Sequence, residues 1–140
     1  MTFTIEYPTP ERLTELWTQV GPLFKRCCDE AAHGEIDAED IRTLHALGRC
    51  FIFVELEDGA VTIAMAVEFI PYPKFTAANV FALGGRGLMK AKSRWWEIVV
   101  AWLKANNVKA VDAWVSDGMM KYLSRLGFKK LYNHTRLTLE

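Results

Sequence analysis

The stretch AANVFALGGRGLMKAKSRWWEIVVAWL, residues 77–103, decides the fold. It opens with an apolar run, Asn79, Val80, Phe81, Ala82 and Leu83. It then passes through a glycine-broken basic turn, Gly84, Gly85, Arg86 and Gly87, into a tryptophan-rich helical segment. A buried strand that feeds a helix through glycines and cations presents backbone N–H groups and positive charge to an anion such as a phosphate. The helix is expected to start at Lys92 or Ser93, with Ser93 as its cap, and to run to Asn106 and Asn107. Successive helical positions turn by about 100°, so Trp95 and Trp102 share a stripe while Trp96 points aside with Val100 and Leu103. An arc that wide needs cover on two faces, the sheet on one and another element or a second subunit on the other, which makes a homodimer an expectation.

Upstream, Phe3 and Ile5 alternate with polar residues as a short strand stopped by Pro8 and Pro10. Thr9 caps a helix with Leu13, Leu16, Trp17 and Val20 at helical spacing. Gly21 and Pro22 are expected to interrupt it before a second piece over 23–32, and a further helix opens at Asp37 and stops at Gly48. Residues 51–57 and 61–70 read as an antiparallel hairpin around Asp58 and Gly59, since Asp-Gly supplies the positive φ of a tight turn. In the second arm Val61, Ile63, Met65, Val67 and Phe69 form a bulky face, and Ala60, Ala64, Ala66 and Glu68 a shallow one.

Residues 76–83 make a central strand, apolar on both faces, and residues 111–115 a strand parallel and adjacent to it. A short helix over 118–126, closed by Gly127, precedes two last strands within 131–139. The fold class is therefore α/β (α+β), a mixed, mostly antiparallel central sheet of six to seven strands flanked by helices. Its order is β-α-α-β-β-β-α-β-α-β-β.

A chain of 140 residues, 51% hydrophobic and 24% charged, fits a single domain over 1–140. Seventeen basic and seventeen acidic residues balance, so no global field draws it to nucleic acid or membrane, and any cationic site is local. Cys27, Cys28 and Cys50 form no disulfide framework or zinc pattern. Together with the lack of a basic-then-apolar leader or a membrane-length apolar run, they point to reduced thiols in the cytoplasm. His33, His45 and His134 make no i, i+4 pair, so no metal site is expected. Trp95, Trp96 and Trp102 beside Arg94 and Lys92 read as core or interface before they read as a base-stacking platform.

The element order, the glycine and arginine turn before the long helix, and the closing Tyr122, Leu123, Ser124, Arg125, Leu126, Gly127, Phe128 resemble the GNAT N-acetyltransferase superfamily. The spacing from Gly118 through Lys121 and Leu123 to Gly127 is similar to that of small GNAT-like proteins encoded by bacteriophages. The resemblance implies acetyl-coenzyme A between splayed fourth and fifth strands, with its pantetheine on the fourth and its pyrophosphate at an Arg/Gln-x-x-Gly-x-Gly/Ala turn. The residues it implies for the cofactor are Leu83, Gly84, Gly85, Arg86, Gly87, Lys90, Lys92 and Ser93. Read from Arg86, the motif's glycine position holds Met89. The implied reaction is acetyl transfer to an amine on a small molecule or protein, with Glu68 as the candidate base and Tyr122 as the candidate acid. The family tyrosine position is occupied by Leu123, and Tyr122 lies one place, about 100°, around the helix. The alternative is a non-catalytic GNAT-like module that works through protein contacts.

Overall fold

The computed structural model describes residues 3–86 and 88–140. Gly87 and the side chains of residues 88–94, Lys90, Lys92 and Ser93 among them, lie outside the described residues. The elements run β1 (Phe3–Glu6), α1 (Pro10–Ala31), α2 (Ala38–Ala46), β2 (Phe51–Glu57), β3 (Ala60–Pro71), β4 (Thr76–Gly85), α3 (Leu88–Ala105), β5 (Ala110–Ala113) and α4 (Asp117–Arg125). The five strands form one sheet in sequential order, antiparallel from β1 to β4 and parallel between β4 and β5.

The hairpin forms as its turn chemistry demands, with Asp58 and Gly59 at φ 51° and 82°. Thr9 caps α1 by accepting from the Arg12 N–H at 3.2 Å, and Asp37 and Asp40 close a capping box on α2. The expected break at Gly21 and Pro22 is absent, for α1 runs unbroken through both. An interior proline costs about 3 kcal/mol. Burying Leu13, Leu16, Val20 and Phe24 on one stripe returns about 1.5–3 kcal/mol for each side chain, so packing outweighs the lost hydrogen bond. Trp17 lies over Gly21, where a Cβ would come within 3.1 Å of the indole.

Two register shifts decide which side chains face which layer. In β3 the shift opposite Glu55 and Leu56 makes Thr62 an extra residue, so Val61 joins Ala64 and Ala66 under α1 instead of sharing the face of Ile63, Met65 and Val67. In β4 the shift between Val80 and Ala82 makes Phe81 the extra residue and puts those two neighbours on opposite faces. One core layer joins α1 and α2 to the sheet, and the other joins α3 and α4 to its opposite side.

The sheet has five strands rather than six or seven because residues 129–140 enter no strand. Leu131, Leu137 and Leu139 are 80%, 84% and 88% exposed, so their alternation finds no layer to bury it. The long helix starts at Leu88, immediately after the glycine turn, and not at Lys92 or Ser93. Its tryptophans are covered within the chain: Trp95 is 2% exposed, Trp96 meets Phe128 at 5.5 Å, and Trp102 packs on Tyr7, Phe51, Phe53 and Phe69. The wide apolar arc is core, and the homodimer expectation loses the observation on which it stood.

Gly84 and Gly85 have a packing reason. A Cβ on Gly84 would lie 2.8 Å from the Leu23 carbonyl oxygen, and one on Gly85 would lie 2.5 Å from the Thr62 carbonyl oxygen and 3.0 Å from the Ile63 Cα. These neighbours are backbone atoms that cannot rotate away. Gly85→Ala should therefore cost about 1–3 kcal/mol in urea unfolding. Gly118→Ala, in the first turn of α4 with open space around it, should be neutral or stabilising by up to about 1 kcal/mol.

Candidate functional site

β4 and β5 stay in register from Ala77 opposite Ala110 to Val80 opposite Ala113, and then they part. The bulge at Phe81 falls at this point and turns the β4 backbone. β5 ends at Ala113, so Trp114 and Val115 diverge into the connection to α4. Between the arms lies a small cleft of ≈ 30 Å³. Val80, Ala82 and Leu83 line it from β4, Val115 and Met119 from the other arm, and Cys27 from α1.

Unpaired backbone groups on the β4 edge need partners. The Leu83 N–H donates to Cys27 Sγ at 3.5 Å, and thiol sulfur is a weak acceptor. Burial pushes the Cys27 thiol up from its ordinary pKa, a shift partly opposed by that N–H, so the group is a neutral thiol and a poor nucleophile. Cys28 and Cys50 are also free, with burial pushing the Cys50 thiol up to about 12.

Of the residues expected to bind the cofactor, Leu83 lines the cleft while Gly84 and Gly85 continue β4 beyond it. Arg86 is exposed; its backbone N–H donates to the Thr62 carbonyl at 2.8 Å and its guanidinium to the Val61 carbonyl at 3.3 Å. The anion-binding chemistry left by this arrangement is the N-terminus of α3 at Leu88, two residues past the Arg86 side chain.

Glu68 is half-buried on β3 and accepts from Asn79 Nδ2 at 3.2 Å. Tyr122 is not at the cleft. It is 5% exposed in the core under α3, its hydroxyl accepting from Trp95 Nε1 at 3.2 Å, and burial raises its pKa. Neighbouring Leu123 is buried in the same cluster. No local signal marks Cys27 as a partner of the β4 edge, because the pairing spans 56 residues and depends on how closely α1 approaches. Nor does any local signal mark Glu55, which is buried with one oxygen accepting from Thr62 Oγ1 at 2.6 Å and the other without a partner among the described residues. Among the described residues no cluster of His, Cys, Asp or Glu could hold a metal ion, and no helix is long and apolar enough to cross a membrane.

No protein-family model matches the sequence, and no curated protein matches it. Solved structures do match. An aminoglycoside acetyltransferase from an uncultured soil metagenomic sample, in complex with sisomicin, superposes with TM-score 0.71 at 14% identity, covering 99% of this chain and 97% of that one. A predicted acetyltransferase with acetyl-CoA from Clostridium acetobutylicum gives 0.69 at 12% identity, covering 99% and 97%. A ribosomal-protein-alanine N-acetyltransferase from Brucella melitensis gives 0.74 at 9% identity, covering 99% and 100%. At these identities the likeness establishes a shared fold, a GNAT-like mixed α/β arrangement of one five-stranded sheet and four helices.

If Tyr122 is a packing residue, Tyr122→Phe should lower stability by about 1–3 kcal/mol in thermal unfolding, because it leaves the buried Trp95 N–H without its acceptor. The cleft should keep its ligand affinity in that variant.

Proposed function

We propose that the protein is an N-acetyltransferase that takes acetyl from acetyl-coenzyme A and passes it to an amine. The observation that carries this reading is the parting of β4 and β5 beyond Val80 and Ala113, which leaves a strand edge open beside a cleft and directs it toward the start of α3. A pantetheine amide is a stronger acceptor than sulfur, so it can take the Leu83 N–H from Cys27. The α3 N-terminus, with Arg86 beside it, suits a pyrophosphate. Structural neighbours described as acetyltransferases, one with acetyl-CoA, support the same choice.

Bound acetyl-coenzyme A supplies a thioester carbonyl carbon; an amine nitrogen forms a bond to it as the C–S bond breaks, and a proton from that nitrogen ends on the departing sulfur. The chain's task is to make the nitrogen nucleophilic. Glu68 takes the first proton from the ammonium, and Asn79 Nδ2 holds that carboxylate in place. With Tyr122 in the core and Leu123 at the family tyrosine position, the sulfur receives its proton without a tyrosine. Free cysteines fit a reducing compartment, and we place the protein in the cytoplasm.

A second reading, a non-catalytic module, is favoured by Met89 at the motif's glycine position and by the thiol already on the β4 edge. Thermal unfolding separates the two. Acetyl-coenzyme A at 100 times its dissociation constant should stabilise the transferase by about 2.7 kcal/mol, and Arg86→Glu should remove most of that gain. A wild-type melting temperature unmoved by millimolar acetyl-coenzyme A would favour the module.

A further inference from the structure

The cleft beside β4 is closed as it stands. A void of ≈ 30 Å³ has room for about one or two waters, and an elongated ligand such as a pantetheine arm does not fit it. Cys27, Glu30 and Ala31 form its wall on α1, and Trp114 and Val115 form its wall beyond β5. A ligand enters only when these two walls separate. Whatever ties them together therefore governs access.

The C-terminal segment supplies such a tie. Residues 129–140 enter no strand and every one of them is exposed, so core burial does not fix their path. Side-chain contacts attach them to both walls. The His134 ring meets the Trp114 ring at 5.7 Å between centres, tilted by 49°. Two residues on, the Arg136 guanidinium donates to the Glu35 carboxylate and forms an ion pair with it. Glu35 lies just past α1 and is held to its end, since its backbone N–H donates to the Ala32 carbonyl at 3.0 Å. Residues 134–136 thus touch the Trp114 wall at one end and the foot of the α1 wall at the other.

We propose that residues 134–136 are a strap that holds the walls of the cleft together in the free protein and lets go when the coenzyme arm enters. Fastening at exposed side chains suits release. The side chains of Arg136 and Glu35 keep 47% and 39% of their surface in solvent, and an ion pair so exposed favours the closed form by a factor of about two to five. A strap fixed by core burial would lock the site, whereas this one sets a balance between closed and open forms. Apparent affinity scales with the open fraction, so the strap weakens binding by the same factor by which it favours closure. Release of the strap by coenzyme A rests on the acetyltransferase reading; its hold on the walls does not.

Cys27 reports the opening, because its half-buried Sγ sits against the Leu83 N–H and a carbamidomethyl group on it needs more room than the cleft holds. The test is the rate at which iodoacetamide labels Cys27 in the folded full chain at constant pH, followed residue by residue by tandem mass spectrometry. Arg136→Gln and Glu35→Gln should each raise that rate by about two- to fivefold, and His134→Ala should raise it as well. The charge-swapped pair, Glu35→Arg with Arg136→Glu, should return it to the wild-type value. Cys50, 3% exposed, is the internal control, and its unchanged labelling separates an opened cleft from an unfolded chain. Wild-type Cys27 rates in both glutamine variants, or a rise matched at Cys50, would overturn the strap. Labelling in millimolar coenzyme A separates the two levels. Faster labelling in the variants without protection of Cys27 by coenzyme A supports the strap and defeats the transferase reading. Protection by coenzyme A at rates that ignore the variants does the reverse.

Discussion

β4 is hydrogen-bonded on both flanks only as far as Val80. Beyond that residue β3 continues to pair while β5 departs, and the edge that remains faces α1 and the cleft. Buried backbone donors must be satisfied, and here the donor of Leu83 is satisfied by a thiol brought from a helix on one face of the sheet. The position of α1 is thereby tied to the parting of the strands: the helix that completes one core layer also supplies a wall of the cleft.

The close approach of α1 rests on small residues. Ala64, Ala66 and Ala82 form the surface beneath it, and Gly84 lets the Leu23 carbonyl come within what would be 2.8 Å of a Cβ. The opposite face is built differently. Trp95, Trp102, Phe53 and Tyr122 fill it with large side chains, and within it Trp95 Nε1 donates to the Tyr122 hydroxyl. Trp95, Val99 and Leu103 pack α3 onto that face of the sheet. The shallow face carries Glu68, Asn79 and Asp112 in one row across the sheet.

Much of this was legible in the sequence because the signals were local. Asp58-Gly59, the Thr9 and Asp37 caps, and the alternation of β3 each follow from a few neighbouring residues. The parallel pairing of β4 with β5 followed from the crossover by the long helix. What was missed is non-local. Pro22 reads as a stop until the stripe from Leu13 to Phe24 is buried against the sheet. Strict alternation put Val61 with Ile63, and only the bulge at Thr62 separates them. Leu131, Leu137 and Leu139 alternate like strands but meet no partner. Glu68 is visible in the sequence on the shallow face, whereas Asn79 reads as part of an apolar run and Asp112 only as one residue of the 111–115 strand. Their alignment with Glu68 depends on two registers that no single strand encodes.

The central claim is that the open edge of β4 is where the coenzyme lies. Backbone amide shifts in an NMR titration with coenzyme A test it most directly. The account predicts the largest changes at Ala82 and Leu83 on one arm and at Val115 and Ser116 on the other, with the far β1 edge unmoved. Saturable binding that perturbs the β1 edge or the exposed residues 129–140 and leaves Leu83 unchanged would contradict it.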